Sequence, residues 1–377
     1  MFRYSFLCLQ QHSPIILNTL DKITKLILRF IQKSVYLSHT MPQQVLTDFY
    51  TRKGPPKSGS FHDFIYDPEN GEATFVDSNP RGYTLVRSID RIRLWVKSNS
   101  LLPFEKIKPQ PSFQRLIPLL KSHLQKAIRR QKTDPALSTA YTLILFDKSS
   151  LVRRLPIIAI EDVELITGTS VIVWLMMAGD SYTWCKEDVS QVLGYVERLC
   201  TTKTYLIREG SEVTISHSLL ATIEEDETRN EMLALYYRMK WGGTSGDVRM
   251  LEQALQTYYN NKICMKKTSF PLRASDVPLP EILDLDLQNP HFIPEAIDFH
   301  CFPSILKKIS EISCIPTDRV KELIWYCQSS INTRKQYTIE KSNKYQLTRD
   351  YKRVSQCIGK IRETLLERLS LTVGHSY

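Results

Sequence analysis

No Cys-x-x-Cys pair occurs in this sequence, and its eight cysteines, at 8, 185, 200, 264, 301, 314, 327 and 357, form no Cys/His cluster with zinc-ligand spacing. That excludes a zinc-binding module and leaves reduced thiols, as in a cytosolic or nuclear protein, as the expected state. No run of about eighteen apolar residues occurs either, so no membrane span is expected. No G-x-x-x-x-G-K-S/T sequence exists, which removes the P-loop and the ATPase chemistry that depends on it. No internal repeat is present, which excludes a repeat architecture.

What is present is an ordinary globular composition. The 377 residues are 42% hydrophobic and 24% charged, enough for one large domain or two ordinary ones with a sizeable core. The formal net charge of +10 is a moderate basic bias. It suits a nucleic-acid partner and equally suits a solvated basic surface.

The first forty residues carry Arg3, Lys22, Lys25, Arg29 and Lys33 against one acid, Asp21. Apolar residues recur through Ile15, Ile16, Leu20, Ile23, Leu26, Ile27 and Phe30. One reading is a mitochondrial transit helix. The other is an extension upstream of a second start at Met41, with little role in the fold.

Five regions follow from the pattern along the chain: the N-terminal extension 1–40, a flexible tail 41–60, a small β-containing element 61–100, a central helical domain 101–270 and a C-terminal helical region 271–377. The tail contains Thr51-Arg-Lys-Gly-Pro-Pro-Lys-Ser-Gly-Ser60, rich in residues that favour turns and extended chain. Phe61–Tyr66 and Ala73–Val76 flank an Asn70-Gly71 turn and predict a β-hairpin. Tyr83–Val96 alternates apolar and basic residues, as a third strand or an amphipathic helix would. From Phe113 through Leu116, Ile117, Leu120, Leu124 and Ile128 the spacing is helical. Thr133 or Asp134, ahead of Pro135, is the expected cap of the next helix. Further helical spacing runs to 259, and after a Pro-rich connection at 271–294 helices are expected near 302–312, 317–330, with Thr317 as its cap, and 350–369. The fold class is therefore mainly α, a multi-helix globular domain with a small N-terminal β-hairpin element.

One segment in the tail has the residue types of a docking plug. Gln43 is followed after two spacers by Leu46, and after Thr47 and Asp48 by the aromatic pair Phe49-Tyr50. A one-turn helix puts the aliphatic and the two aromatics on one side, the glutamine enters a small polar pocket, and Thr47 and Asp48 cap the turn. Arg52 and Lys53 follow as rim charges. The segment resembles the PIP box of proteins that bind the sliding clamp PCNA. The resemblance implies a PCNA-type clamp as partner, a role in DNA replication or repair, and a nuclear location, with a mitochondrial one if residues 1–40 are a transit peptide. The Thr-Asp pair also resembles a PIP degron, but Gly54 stands where that pattern has a basic residue. The plain alternative is a hydrophobic staple that holds the tail on the domain.

In the central region, Leu124-Gln-Lys-Ala-Ile-Arg-Arg130, Ala136–Phe146 and Leu151–Val163 resemble the helical C-terminal part of clamp-loader-related AAA+ proteins of the RarA/MgsA type, without the ATPase module. Lys121, Lys126, Arg129, Arg130 and Lys132 cluster towards one helix end, and Arg153 and Arg154 add to them. Such clusters suit phosphate contacts. The alternatives are a solvated basic face and internal ion pairs of Arg153 and Arg154 with Glu161 and Asp162.

Glu161, Asp162, Asp247, Asp298 and His300 have the donor types of a divalent-metal nuclease site, with Asp247, Asp298 and His300 as its catalytic candidates. Magnesium enters only under that reading. Acids at helix starts also serve the helix dipole, which is the plainer account of each. The stretch Ile324–Lys335 combines aromatics and bases, as single-strand binders do, while helical spacing puts Trp325 in the core. The leading expectation is a clamp-binding accessory protein whose helical domain contacts DNA or another replication factor, and it needs no cofactor.

Overall fold

A computed structural model describes residues 61–77, 81–98, 102–104, 116–265, 278–297 and 303–373. The chain is mainly α with one small sheet near the front, as expected. The Asn70-Gly71 turn closes the first hairpin, β1 (His62–Asp67) with β2 (Glu72–Val76). Gly71 sits at φ +65°, and the Asp67 carboxylate accepts from the Glu69 and Asn70 amides, so the turn is fixed by its own residues. The segment open between strand and helix is in fact two strands, β3 (Tyr83–Ile89) and β4 (Ile92–Lys97), joined at Asp90 with φ +53°. The sheet order is β2-β1-β4-β3, with the two hairpins joined by a parallel β1–β4 pair. Asp63 ties that pair together: Arg93 Nε donates to it at 2.6 Å, Arg93 Nη2 at 2.7 Å and Trp95 Nε1 at 2.7 Å.

The helices begin with α1 (Ile117–Arg129) and α2 (Thr133–Asp162). Helix α2 starts at Thr133 with Lys132 at the cap position and no side-chain cap, so neither Thr133 nor Asp134 caps it. It is broken at Asp147, whose backbone is non-helical and whose carboxylate accepts from the Ser150 amide at 3.0 Å. Asp147 ends the apolar Ala136–Phe146 stretch and caps the next segment. Helix α3 (Thr169–Ala178) is buried along its whole length, with Trp174 Nε1 donating to the Phe64 carbonyl of the sheet at 3.0 Å. Helices α4 (Lys186–Thr201), α5 (His217–Leu220), α6 (Asp226–Lys240) and α7 (Ser245–Asn260) complete the central region.

The buried Glu231 carboxylate caps α3 from α6, accepting from the Gly168 amide at 2.8 Å, the Ser170 amide at 2.7 Å and the Ser170 hydroxyl at 3.0 Å. Burial nevertheless pushes Glu231 up to about 8. A main hydrophobic core joins the sheet to α1–α4, and a second forms around α6 and α7.

The C-terminal region has its own core, built from α8 (Pro303–Ser313), α9 (Thr317–Ile324) and α11 (Arg349–Val373). Pro316, not Thr317, occupies the cap position of α9. The expected 317–330 helix is α9 followed by a π-helical turn, Trp325–Ser329. Helix α10 (Gln336–Gln346) is mostly polar and leaves no apolar stripe in the sequence to announce it.

Two features fasten this region to the central helices. The first is a strap, residues 278–297. Leu283 donates its amide to Thr142 Oγ1 at 2.9 Å, and Ile293 donates to Nε2 of the fully buried His123 at 2.8 Å. Glu295 then accepts from Arg130 at 3.0 Å. Burial alone would raise the Glu295 carboxyl, but Arg130 and Arg362 outweigh it and hold the group below its usual range. The second is the loop after the π turn. Asn332 donates to the Asp162 carbonyl at 3.0 Å. Arg334 donates to the carbonyls of Ile128, Leu199, Cys200 and Thr202, so one guanidinium closes the C-terminal ends of α1 and α4.

Candidate functional site

The end of α1 lies against the end of α2. Arg129 Nε donates to Asp162 Oδ1 at 2.7 Å, Nη2 to Glu161 Oε1 at 2.9 Å and Nη1 to the Ser329 carbonyl at 2.6 Å. The buried Asp162 also accepts from Gln125 Nε2 at 3.0 Å and Asn332 Nδ2 at 3.3 Å. Its charge is thus fully matched, as a buried carboxylate requires.

Above this pair opens a cleft of about 350 Å³, lined by Pro118, Lys121, Ser122, Gln125, Lys126, Arg129, Arg154, Glu161, Trp325 and Ser329. Four of the lining side chains are cations, and Glu161 is the one carboxylate among them. Helical spacing produces this: Lys121, Ser122, Gln125, Lys126 and Arg129 recur at three and four residues on α1, so they share a face. Lys126 Nζ donates to Ser122 Oγ at 2.9 Å. Arg154 reaches in from α2, donating to Gln125 Oε1 at 2.6 Å, with Glu161 at 3.5 Å and Asp247 at 3.9 Å. Lys121 is held below its usual range by burial first and then by Arg154 and Arg153, against the pull of Asp147. An anion entering the cleft would relieve that repulsion.

The other basic residues of the cluster go elsewhere. Arg130 points to Glu295 and the Gln328 carbonyl, where it fastens the strap and the π turn. Lys132 is exposed at the start of α2, outside the cleft lining. Arg153 is exposed beside the cleft, and its carbonyl accepts from Arg238. Of the internal ion pairs expected for Arg153 and Arg154, the one between Arg154 and Glu161 forms, whereas Asp162 is taken by Arg129.

Trp325 is the main correction at this site. It is not core: it is 40% exposed and stands at the rim of the cleft. Ile324 and Cys327 take the buried positions, and Trp325, one residue on from Ile324, falls outside their stripe. The π turn begins at this residue, a backbone irregularity often found at functional sites.

Among the described residues no group of three or more His, Cys, Asp or Glu side chains could hold a metal ion. Glu161 and Asp162 are engaged by arginines, and Asp247 forms a capping box with Thr244 at the start of α7. Asp298 and His300 lie outside the described residues, as do Gln43, Leu46, Thr47, Asp48, Phe49, Tyr50, Arg52 and Lys53. No described helix is long and apolar enough to cross a membrane. No protein-family model, no curated protein and no solved structure matches the chain.

Proposed function

We propose that this chain is an accessory protein of DNA replication or repair, tethered to a PCNA-type sliding clamp by Gln43–Tyr50, whose helical domain contacts nucleic-acid phosphates through the cleft at the end of α1. The observation that carries the phosphate contact is the lining itself, with Lys121, Lys126, Arg129 and Arg154 facing one carboxylate, Glu161. A groove with an excess of one charge sign concentrates the opposite charge and steers it inward. Arg129 fixes the shape of the floor through its bonds to Asp162 and Ser329, while Lys121 and Arg154, both partly exposed, add their charges to the lining.

The tether is supported by the residue spacing of Gln43, Leu46, Phe49 and Tyr50 and by the Pro/Gly/Ser stretch beside it, where a docking peptide is accessible. A nuclear location follows from that role. The metal-nuclease reading draws nothing from Glu161, Asp162 or Asp247, since ion pairing and capping account for all three.

A clamp titration with the full chain tests the tether. The wild type should bind a PCNA-type clamp with micromolar or tighter affinity, and the double variant Phe49→Ala/Tyr50→Ala should lose about a thousandfold, since two anchoring aromatics at about 2 kcal/mol each leave the pocket. Equal binding by both chains contradicts the tether.

A further inference from the structure

The cleft does not end at Trp325. Tyr337, at the start of α10, is 59% exposed. Burial of part of its ring, with Tyr205, Tyr326 and Lys341 beside it, perturbs its hydroxyl, and Arg129 of the cleft is close enough to act on it as well. Two of these neighbouring rings carry a lysine over their faces: Lys335 Nζ stands 4.0 Å from the Tyr205 ring centroid and Lys341 Nζ 4.2 Å from that of Tyr326. The nearby Glu322 carboxylate is held by Arg319 and by the Tyr345 hydroxyl, which reduces its opposition to an anion. A band of aromatic faces interleaved with cations therefore continues from the basic cleft across the π turn to α10.

Basic groove and stacking platform together are the two parts of a single-strand site. Bases of a duplex are stacked on one another and present no free faces, so exposed rings beside a phosphate groove add nothing to duplex binding and a great deal to an unpaired strand. An acidic peptide would use the cations but has no flat rings to lay on Trp325 and Tyr337. We infer that this surface binds single-stranded nucleic acid, with phosphates in the Lys121/Lys126/Arg154 cleft and successive bases stacked on Trp325 and Tyr337.

The inference rests on the reading of the cleft as a phosphate groove and is independent of the clamp tether. Fluorescence anisotropy of the full chain tests it, with a labelled oligothymidylate of about twenty nucleotides, longer than the ~4–16 nucleotides a single groove of this kind tracks, and a duplex of equal length at the same salt concentration. The single strand should bind at least about tenfold tighter than the duplex. Trp325→Ala and Tyr337→Ala should each weaken the single strand about tenfold and leave the duplex unchanged, as loss of one stacked base predicts. Both positions are exposed, so urea midpoints of the variants should match the wild type. Trp325→Phe should retain most of the affinity, because a ring face remains. Equal affinity for strand and duplex with both alanine variants silent overturns the inference and leaves the phosphate groove standing. Absence of binding to either nucleic acid overturns both. Displacement of the labelled strand by a polyglutamate peptide as effectively as by unlabelled oligothymidylate also overturns it, since the rings would then contribute nothing.

Discussion

Replacing Asp162 by alanine should destabilise the fold by about 3 kcal/mol or more, whereas Glu161→Ala should cost at most about 1 kcal/mol. Both acids pair with Arg129, at 2.7 and 2.9 Å, and distance alone does not separate them. Burial does. The Asp162 side chain is 1% exposed and Glu161 34%. Without Asp162, the inward edge of the Arg129 guanidinium, Gln125 Nε2 and Asn332 Nδ2 all lose an acceptor where water has little access. Without Glu161, water replaces most of what is lost. Urea denaturation of the three chains reads the difference directly, and equal midpoints for the two variants would contradict the account of the cleft floor.

Acid should loosen the strap through His123. The Ile293 amide donates to Nε2, so Nδ1 carries the proton and faces Thr139 Oγ1 at 2.7 Å, and the Thr139 hydroxyl donates to the Pro135 carbonyl. This arrangement holds only the neutral ring. Burial, with Lys126 and Arg130 nearby, lowers the group from 6.5 to about 3 against a smaller opposing effect of the His291 backbone. Below about pH 6.5 the unfolded chain takes up a proton that the folded chain refuses, so the His123 contribution to stability is lost as pH falls from 6.5 towards 3, by about 1.4 kcal/mol per unit.

Other groups titrate in the same range. His217, lowered to about 4 by burial and by His62, acts in the same direction. Glu231, raised to about 8, acts oppositely: its folded form keeps a proton that the unfolded chain releases above 4.5, so its contribution falls as pH rises from 4.5 to 8. The wild-type profile is therefore flatter than His123 alone would make it. The difference between wild type and His123→Gln isolates the ring. Stability against pH, from urea midpoints, should show the wild type losing about 1.4 kcal/mol per unit relative to the variant between pH 6 and 4. Parallel profiles would mean that His123 takes up its proton in the folded state.

The parts of this fold that could be read in the sequence are those governed by near neighbours. Asn70-Gly71 needs only its own turn to close β1 on β2, and the α1 face needs only the 3.6-residue repeat to gather Lys121, Ser122, Gln125, Lys126 and Arg129. What escaped depends on partners far along the chain. Arg130 continues the same basic run as Arg129, but a carboxylate 165 residues later draws it away from the cleft. Asp147 is a local exception: it reads as an ordinary polar residue between two apolar stretches, and only its bond to the Ser150 amide, three residues on, marks it as a break. The parallel β1–β4 pair joins two hairpins that each look self-sufficient. Trp325 comes directly after the apolar pair Leu323-Ile324, and it is the burial of Ile324 and Cys327, with the π turn that begins at Trp325, that leaves it facing the cleft. Arg334 looks like one more surface base beside Lys335, yet it closes two helices contributed by distant sequence.

The phosphate contact at the end of α1 is the claim on which the functional reading turns, and its salt dependence tests it most directly. Each phosphate neutralised on a single strand contributes about −0.7 to the slope of log K against log salt concentration. If Lys121 and Arg154 each hold a phosphate, the Lys121→Ala/Arg154→Ala chain should bind oligothymidylate with a slope shallower than the wild type by about 1.4. A variant whose line runs parallel to the wild type across the salt series would show that the cleft holds no phosphate.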